Sequence, residues 1–178
     1  ERIVQETAWR TKLAANAMLP AETRDGFHVS VAANVELPEE VEKLRKTHHV
    51  GIGLFRTEFL FVNGGSLSDE EAQYTAYRRV VEDISPHSVI FRTLDIGGDK
   101  FLSHLDVPIE INPFLGMRAI RFCLRREDVF RTQLRAILRA SAHGKVRVLF
   151  PMITALEELQ RTLEILSEVK ADLERECI

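Results

Sequence analysis

Two arginines occupy matching points in two apolar runs. GIGLFRTEFLF (51–61) breaks at Arg56-Thr57-Glu58, and VIFRTLDIGGDK (89–100) breaks 36 residues later at Arg92-Thr93. Both runs predict buried strands, so each arginine follows a strand end. A guanidinium is a planar, permanently charged fork that bonds a carboxylate or phosphate with two parallel hydrogen bonds. On adjacent parallel strands, about 4.8 Å apart, two such groups repel unless an anion lies between them. A plainer arrangement also fits: each arginine caps its strand and pairs with a nearby acid, for which Glu58, Asp95, Asp99 and Glu110 stand close in sequence. The residues alone leave both open.

The surroundings carry further cationic and amide groups. Ile96-Gly97-Gly98-Asp99-Lys100 brings backbone N–H groups and an ammonium to the loop after Arg92, and glycines let backbone approach an anion closely. Taken singly, Gly-Gly-Asp is an ordinary tight turn. Arg118, after Asn112-Pro113-Phe114-Leu115-Gly116, is a third candidate cation. Gly51-Ile52-Gly53 precedes a strand core and lacks the Lys-Ser/Thr ending of a phosphate loop. The six histidines are scattered, with His48-His49 closing a surface helix, and none has metal-ligand spacing. Neither Cys123, in an apolar helix, nor Cys177, near the C-terminus, sits in a catalytic setting. An anion site with no acid, base, nucleophile or metal motif beside it resembles part of an active site.

The elements that must position these arginines alternate. Residues 1–22 form a leading helix broken by Pro20, and 28–36 alternate as a first strand. Pro38 and the acids after it open a helix over 38–49. Strands follow at 51–55, 88–92 and 146–152. Ser68 is predicted to cap a helix running to Ile84, with Glu71 completing a capping box. A long loop covers about 95–115; Phe130, Leu134, Ile137 and Leu138 share one helical face, and Gly144 ends that helix. Leu156, Leu159, Leu163, Leu166, Val169 and Leu173 predict a last, core-facing helix.

Strand–helix alternation predicts an α/β protein with parallel strands. An open doubly wound sheet and a (β/α)8 barrel compete. No glycine-rich fingerprint follows the first strand, which counts against a dinucleotide fold. Four βα units make half a barrel, and a whole one needs about 250 residues. The favoured fold is therefore the first half of a (β/α)8 TIM-type barrel over 23–178, preceded by a linker helix. Barrel active sites assemble at the C-terminal strand ends, where both arginines fall.

Bulk properties exclude several classes. The 178 residues are 45% hydrophobic and 29% charged with net charge −3, so no basic field invites nucleic acid. No apolar run approaches a membrane span, and no signal-peptide pattern opens the chain. Two cysteines without a disulfide framework fit a cytoplasmic protein. A start at Glu1 and a stop at Cys177-Ile178, directly after a helical pattern, suggest a piece of a longer chain.

GIGLFRTEFLF, FRTLDIGGDK, EINPFLGMRAIRF, QLRAILRAS and VLFPMI occur in this order. The set resembles the phosphoenolpyruvate-binding barrel of the PEP-utilising enzymes, and most closely the Enzyme I family of the bacterial phosphotransferase system. The resemblance covers essentially the whole chain. It implies that Arg56 and Arg92 bind phosphoenolpyruvate and that Arg118 is a further active-site residue. It implies magnesium as cofactor, the carrier protein HPr as partner through an N-terminal domain, and a homodimer formed by the barrel. One departure stands out: Ile111 replaces the second of two acids usual before Asn-Pro, while Glu110 remains. The family's phosphoacceptor histidine, catalytic cysteine and magnesium ligands have no counterpart motifs here, so the resemblance implies that this stretch alone does not turn over. Pyruvate phosphate dikinase and phosphoenolpyruvate synthase share the barrel, but Ile96–Lys100 looks like the phosphotransferase version. A non-catalytic module that senses phosphoenolpyruvate or mediates dimerisation is the alternative from another class.

Overall fold

A computed structural model describes residues 6, 9, 12, 13, 19–47, 50–62, 69–96 and 116–178. Most of the expected leading helix, His48-His49, the Gly97–Lys100 turn and the Asn112–Leu115 stretch lie outside these residues, as do Asp99, Glu110 and Ile111.

Four strands form one parallel sheet: β1 (Ala32–Val35), β2 (Gly51–Arg56), β3 (Ser88–Arg92) and β4 (Lys145–Leu149). Their spatial order is their sequence order. That order decides between the two competing folds. Crossovers between parallel strands are right-handed, so strands added always on the same side place every helix on one face. A doubly wound sheet reverses direction and covers both. The chain is a partial α/β barrel, as expected.

The helices are α1 (Pro38–Thr47), α2 (Phe59–Val62), α3 (Glu70–Ile84), α4 (Ala119–Arg125), α5 (Glu127–Ala140) and α6 (Leu156–Arg175). Val35, Ile52, Phe55, Val89 and Phe91 point from the sheet into a core with Tyr77, Val80, Val81 and Ile84 of α3 and Ala136, Ile137 and Ala140 of α5. On the opposite sheet face, no helix among the described residues packs against the strands. A groove of about 860 Å³ runs along it, lined by Ala32, Gly51, Gly53, Ser88, Ile90 and Arg147. A second core joins Leu94 and Ile96, just beyond β3, to Phe122 and Cys123 of α4, Phe130 and Leu134 of α5, and Ile165 and Val169 of α6. The segment after Arg92 is thus anchored from beneath.

Several boundaries differ from expectation for identifiable reasons. β1 is shorter than 28–36 because its pairing begins at Ala32 opposite Gly51, and residues before Ala32 have no ladder partner there. β4 ends at Leu149 rather than 152; Pro151 carries no N–H for a ladder. Asp69, not Ser68, caps α3: its Oδ1 accepts from the Ala72 N–H at 2.8 Å, which places Glu71 one position too early for a capping box. Helix α5 stops at Ala140, and a 3-10 turn (Ser141–His143) leads to Gly144, where an added Cβ would lie 2.8 Å from Val81 Cγ1.

The leucine stripe of α6 is only half right. Thr162, Ile165, Val169 and Leu173 form the buried face, while Leu156, Leu159 and Leu163 are exposed. Two stripes at helical spacing overlap in this helix, and packing against α4 and α5 selects the one containing a threonine. Thr162 tolerates burial because its hydroxyl donates to the Glu158 carbonyl at 2.7 Å.

One glycine is demanded by the sheet itself. A Cβ on Gly51 would sit 2.7 Å from the Ser88 carbonyl oxygen on the neighbouring strand. Backbone cannot yield as a flexible side chain can. Gly51→Ala is expected to destabilise the fold by about 1–3 kcal/mol, read as a lowered denaturation midpoint in urea.

Candidate anion site at the strand ends

Arg56 and Arg92 are the last residues of β2 and β3 and pair directly in register. The expected strands, 51–55 and 88–92, left Arg56 just outside and Arg92 as a last residue; the ladder carries through both. Arg118 comes from elsewhere, at the N-cap of α4, where the next residue, Ala119, is fully buried with φ 51°. A non-glycine residue held in the left-handed region costs free energy and persists only where its surroundings dictate it. Here Ala119 N–H bonds the Ile96 carbonyl at 3.2 Å, tying the turn that presents Arg118 to the segment after β3.

Acids organise the cluster. Arg92 Nη2 donates to Glu58 Oε1 at 2.8 Å, and its Nη1 lies 3.2 Å from Asp95 Oδ2. Asp95 Oδ1 in turn accepts from Arg118 Nη2 at 2.8 Å and Nε at 3.1 Å. Asp95 also donates its backbone N–H to Glu58 Oε1 at 3.1 Å. Arg56 is held less firmly: Nη1 meets Glu36 Oε2 at 3.4 Å, both side chains being substantially exposed. Glu58 and Asp95 are two of the four acids the sequence offered; Asp99 and Glu110 lie outside the described residues. Glu36, 20 residues before Arg56, was not foreseen.

All three predicted arginines therefore converge, Arg56 beside Arg92 through register and Arg118 through Asp95. Acid pairing accounts for part of their capacity, as the plainer arrangement anticipates. It does not account for all. Nε of Arg56 and Nε of Arg92 are buried and have no hydrogen-bond partner among the described residues. Buried polar groups are ordinarily paired, and each orphan calls for an explanation. Two unsatisfied N–H donors of like charge thus stand on strand residues paired in register.

Other groups nearby are chemically quiet. Cys123 is fully buried with Sγ 3.7 Å from the Leu94 carbonyl oxygen. Burial, with the Asp95 charge adding, pushes its thiol up to about 12. It is no thiolate nucleophile near neutral pH. Magnesium finds no home among the described residues: no group of three or more His, Cys, Asp or Glu could hold a metal ion. The two acids nearest the arginines, Glu58 and Asp95, are committed to guanidinium groups whose charge would repel a cation. No described helix is long and apolar enough to cross a membrane.

A parallel sheet wound in sequence order, with Arg56 and Arg92 at two of its C-terminal strand ends, defines a barrel-type α/β domain. Residues 10–178 match the PEP-binding domain of PEP-utilising enzymes, and the chain belongs to that family. It is 49% identical over 154 residues to the phosphoenolpyruvate-protein phosphotransferase of Priestia megaterium, covering 86% of this chain and 27% of that protein. It is 47% identical over 174 residues to the same-named protein of Geobacillus stearothermophilus, covering 98% of this chain and 29% of that one. The Bacillus subtilis protein of that name is 47% identical over 154 residues, 86% of this chain and 27% of its own length. The chain thus spans under a third of the length of these relatives.

Proposed function

We propose that this chain is the phosphoenolpyruvate-holding part of a phosphoenolpyruvate-protein phosphotransferase, an Enzyme I that takes phosphate onto its own histidine and passes it to HPr for sugar uptake. The observation that carries this is the in-register pair Arg56–Arg92 with two buried, unpartnered Nε donors. Similarity of 47–49% to proteins of that name supports the substrate.

Phosphoenolpyruvate carries a phosphate and a carboxylate a few ångströms apart, two anionic groups for a row of guanidinium forks. In the transfer, the bond from phosphorus to the enol oxygen breaks and a bond from phosphorus to a histidine nitrogen forms. The electron pair stays with enolpyruvate, whose later protonation on carbon gives pyruvate. Phosphoryl transfer relies on prearranged positive charge more than on covalent chemistry. Arg56 and Arg92 meet that requirement, and Arg118 steadies the cluster through Asp95. The histidine, the cysteine that handles the enolate proton and the magnesium ligands belong, in this proposal, to other parts of the parent enzyme. The chain alone does not turn over; residues 1–22 are a linker and 23–178 the first half of the barrel. The parent is a cytoplasmic homodimer.

Pyruvate release by the full-length enzyme from phosphoenolpyruvate and magnesium tests this. Turnover that requires HPr is the expected result. Turnover that requires AMP and pyrophosphate instead assigns the barrel to a dikinase, and none under either condition favours a sensing module.

A further inference from the structure

Directly beneath the arginines lies a closed polar network that the proposed binding role does not use. Among the buried polar side chains, Thr57, Gln73 and Gln133 form one chain of hydrogen bonds with the Tyr77 hydroxyl, and all four are at most 1% exposed. Gln133 Oε1 accepts from the Leu94 backbone N–H at 2.9 Å. Its Nε2 donates to Thr57 Oγ1 at 3.0 Å and to the Tyr77 hydroxyl at 3.2 Å. Thr57 Oγ1 then donates to the Arg92 carbonyl at 2.9 Å, and Tyr77 to Gln73 Oε1 at 3.1 Å.

The backbone fixes the orientation of Gln133. Leu94 N–H can only donate, so the Gln133 amide oxygen must face it, which turns the amide nitrogen toward the two hydroxyls. Each hydroxyl, having accepted one proton, has one left to give, and each finds an acceptor. Burial pushes the Tyr77 phenol far above its ordinary range, so it remains a hydroxyl able to do both. None of the four side chains has a buried polar atom left without a partner.

Valine and leucine would fill the same space without desolvating polar groups. What the network adds is location. Its ends grip Thr57, the residue after Arg56, and the Arg92 carbonyl and Leu94 N–H, which bracket Thr93 immediately after the Arg92 Cα. α5, through Gln133, thereby sets the ends of β2 and β3 relative to each other. A looser counterpart stands one strand along, where the Thr93 hydroxyl donates to the Leu149 carbonyl at 3.5 Å and its N–H to the same oxygen at 2.9 Å.

We propose that Thr57 and Gln133 are positioning residues that hold Arg56 and Arg92 in the geometry that receives the anion. This rests on the phosphoenolpyruvate reading of the site. Neither residue touches the substrate; both act through the backbone that carries the arginines.

Two substitutions at Thr57 in the full-length enzyme separate positioning from packing. Thr57→Val keeps the shape and loses the hydroxyl; Thr57→Ser keeps the hydroxyl and loses the methyl. Misplacement of a binding group by about 1 Å costs roughly 10²-fold in rate. Thr57→Val is therefore expected to lower kcat/KM for phosphoenolpyruvate by roughly 10²-fold, with KM for HPr unchanged, and Thr57→Ser to remain within about threefold of wild type. A packing role reverses that order and overturns the proposal, as does a valine variant as active as wild type. If Thr57→Val does not fold, Gln133→Asn decides: its shorter amide cannot reach both Leu94 and Thr57. A comparable loss then supports positioning, and near-wild-type kinetics overturn it. Failure of the unsubstituted enzyme to use phosphoenolpyruvate would instead remove the functional reading on which the proposal rests.

Discussion

Replacing Arg92 by alanine in the full-length enzyme is expected to lower kcat/KM for phosphoenolpyruvate by roughly 10³-fold or more. Arg92 is the hub of the cluster. It stands in register with Arg56, shares Asp95 with Arg118, and holds Glu58 at 2.8 Å. Truncation removes the buried Nε donor and also strips Glu58 of its guanidinium partner. The incoming anion then meets an uncompensated carboxylate where it should meet a cation. Arg92→Lys should rescue little, because a single ammonium cannot serve Glu58, Asp95 and a ligand from one planar fork. Arg56→Ala should also abolish useful turnover, but with less disturbance of its neighbours, since Glu36 is largely exposed and loses only a 3.4 Å contact. Steady-state kinetics with phosphoenolpyruvate as the varied substrate measures the effect, and a thermal melt confirms that the variant is folded. A loss under tenfold for Arg92→Ala would mean that the hub is a structural ion pair.

The largest effect on stability is expected one residue earlier. Phe91 is fully buried, with its ring 5.3 Å from Phe55 edge-on and 4.8 Å from Tyr77. These three rings join β2 and β3 to α3, and Phe55 continues the contact to Phe59 at 5.9 Å. Phe91→Ala leaves a cavity between sheet and helix that rigid strands cannot close, at a cost of about 3–5 kcal/mol. That is a large share of the roughly 5–15 kcal/mol that holds a domain folded. Urea denaturation followed by circular dichroism reads the change as a drop in midpoint with little change in slope. A shift worth less than about 1 kcal/mol would show that helix packing, not this aromatic junction, bears the fold. Because Arg92 continues the same strand, the variant links the core to the site: loosening the ring cluster loosens the hub.

Much of this was legible in the residues, and the rest was hidden for physical reasons. β2 and β3 announce themselves because apolar runs ending in a charged residue have one economical placement, and both fall within a residue of expectation. The half-barrel followed from alternation together with the count of four βα units and the lack of a glycine-rich fingerprint after the first strand. Helix α6 shows the limit of periodicity: Leu156, Leu159 and Leu163 fit the pattern as well as Ile165, Val169 and Leu173, and only the neighbours decide which stripe is covered. The three arginines were found through their chemistry and a family resemblance, whereas their geometry depends on partners distant in sequence. Asp95 lies 23 residues before Arg118, and Glu36 lies 20 before Arg56. Gln133 was invisible beforehand. A lone polar residue in a helix predicts exposure, and only closure of its bonds with Thr57, 76 residues away, reveals why it is buried.

The central claim is that the Arg56–Arg92 pair receives phosphoenolpyruvate, and a crystal structure of the full-length enzyme with phosphoenolpyruvate bound tests it most directly. The account predicts phosphate or carboxylate oxygens within hydrogen-bond distance of both guanidinium groups, with the two now unpartnered Nε donors engaged. Phosphoenolpyruvate bound elsewhere, with Arg92 still occupied only by Glu58 and Asp95, would contradict it.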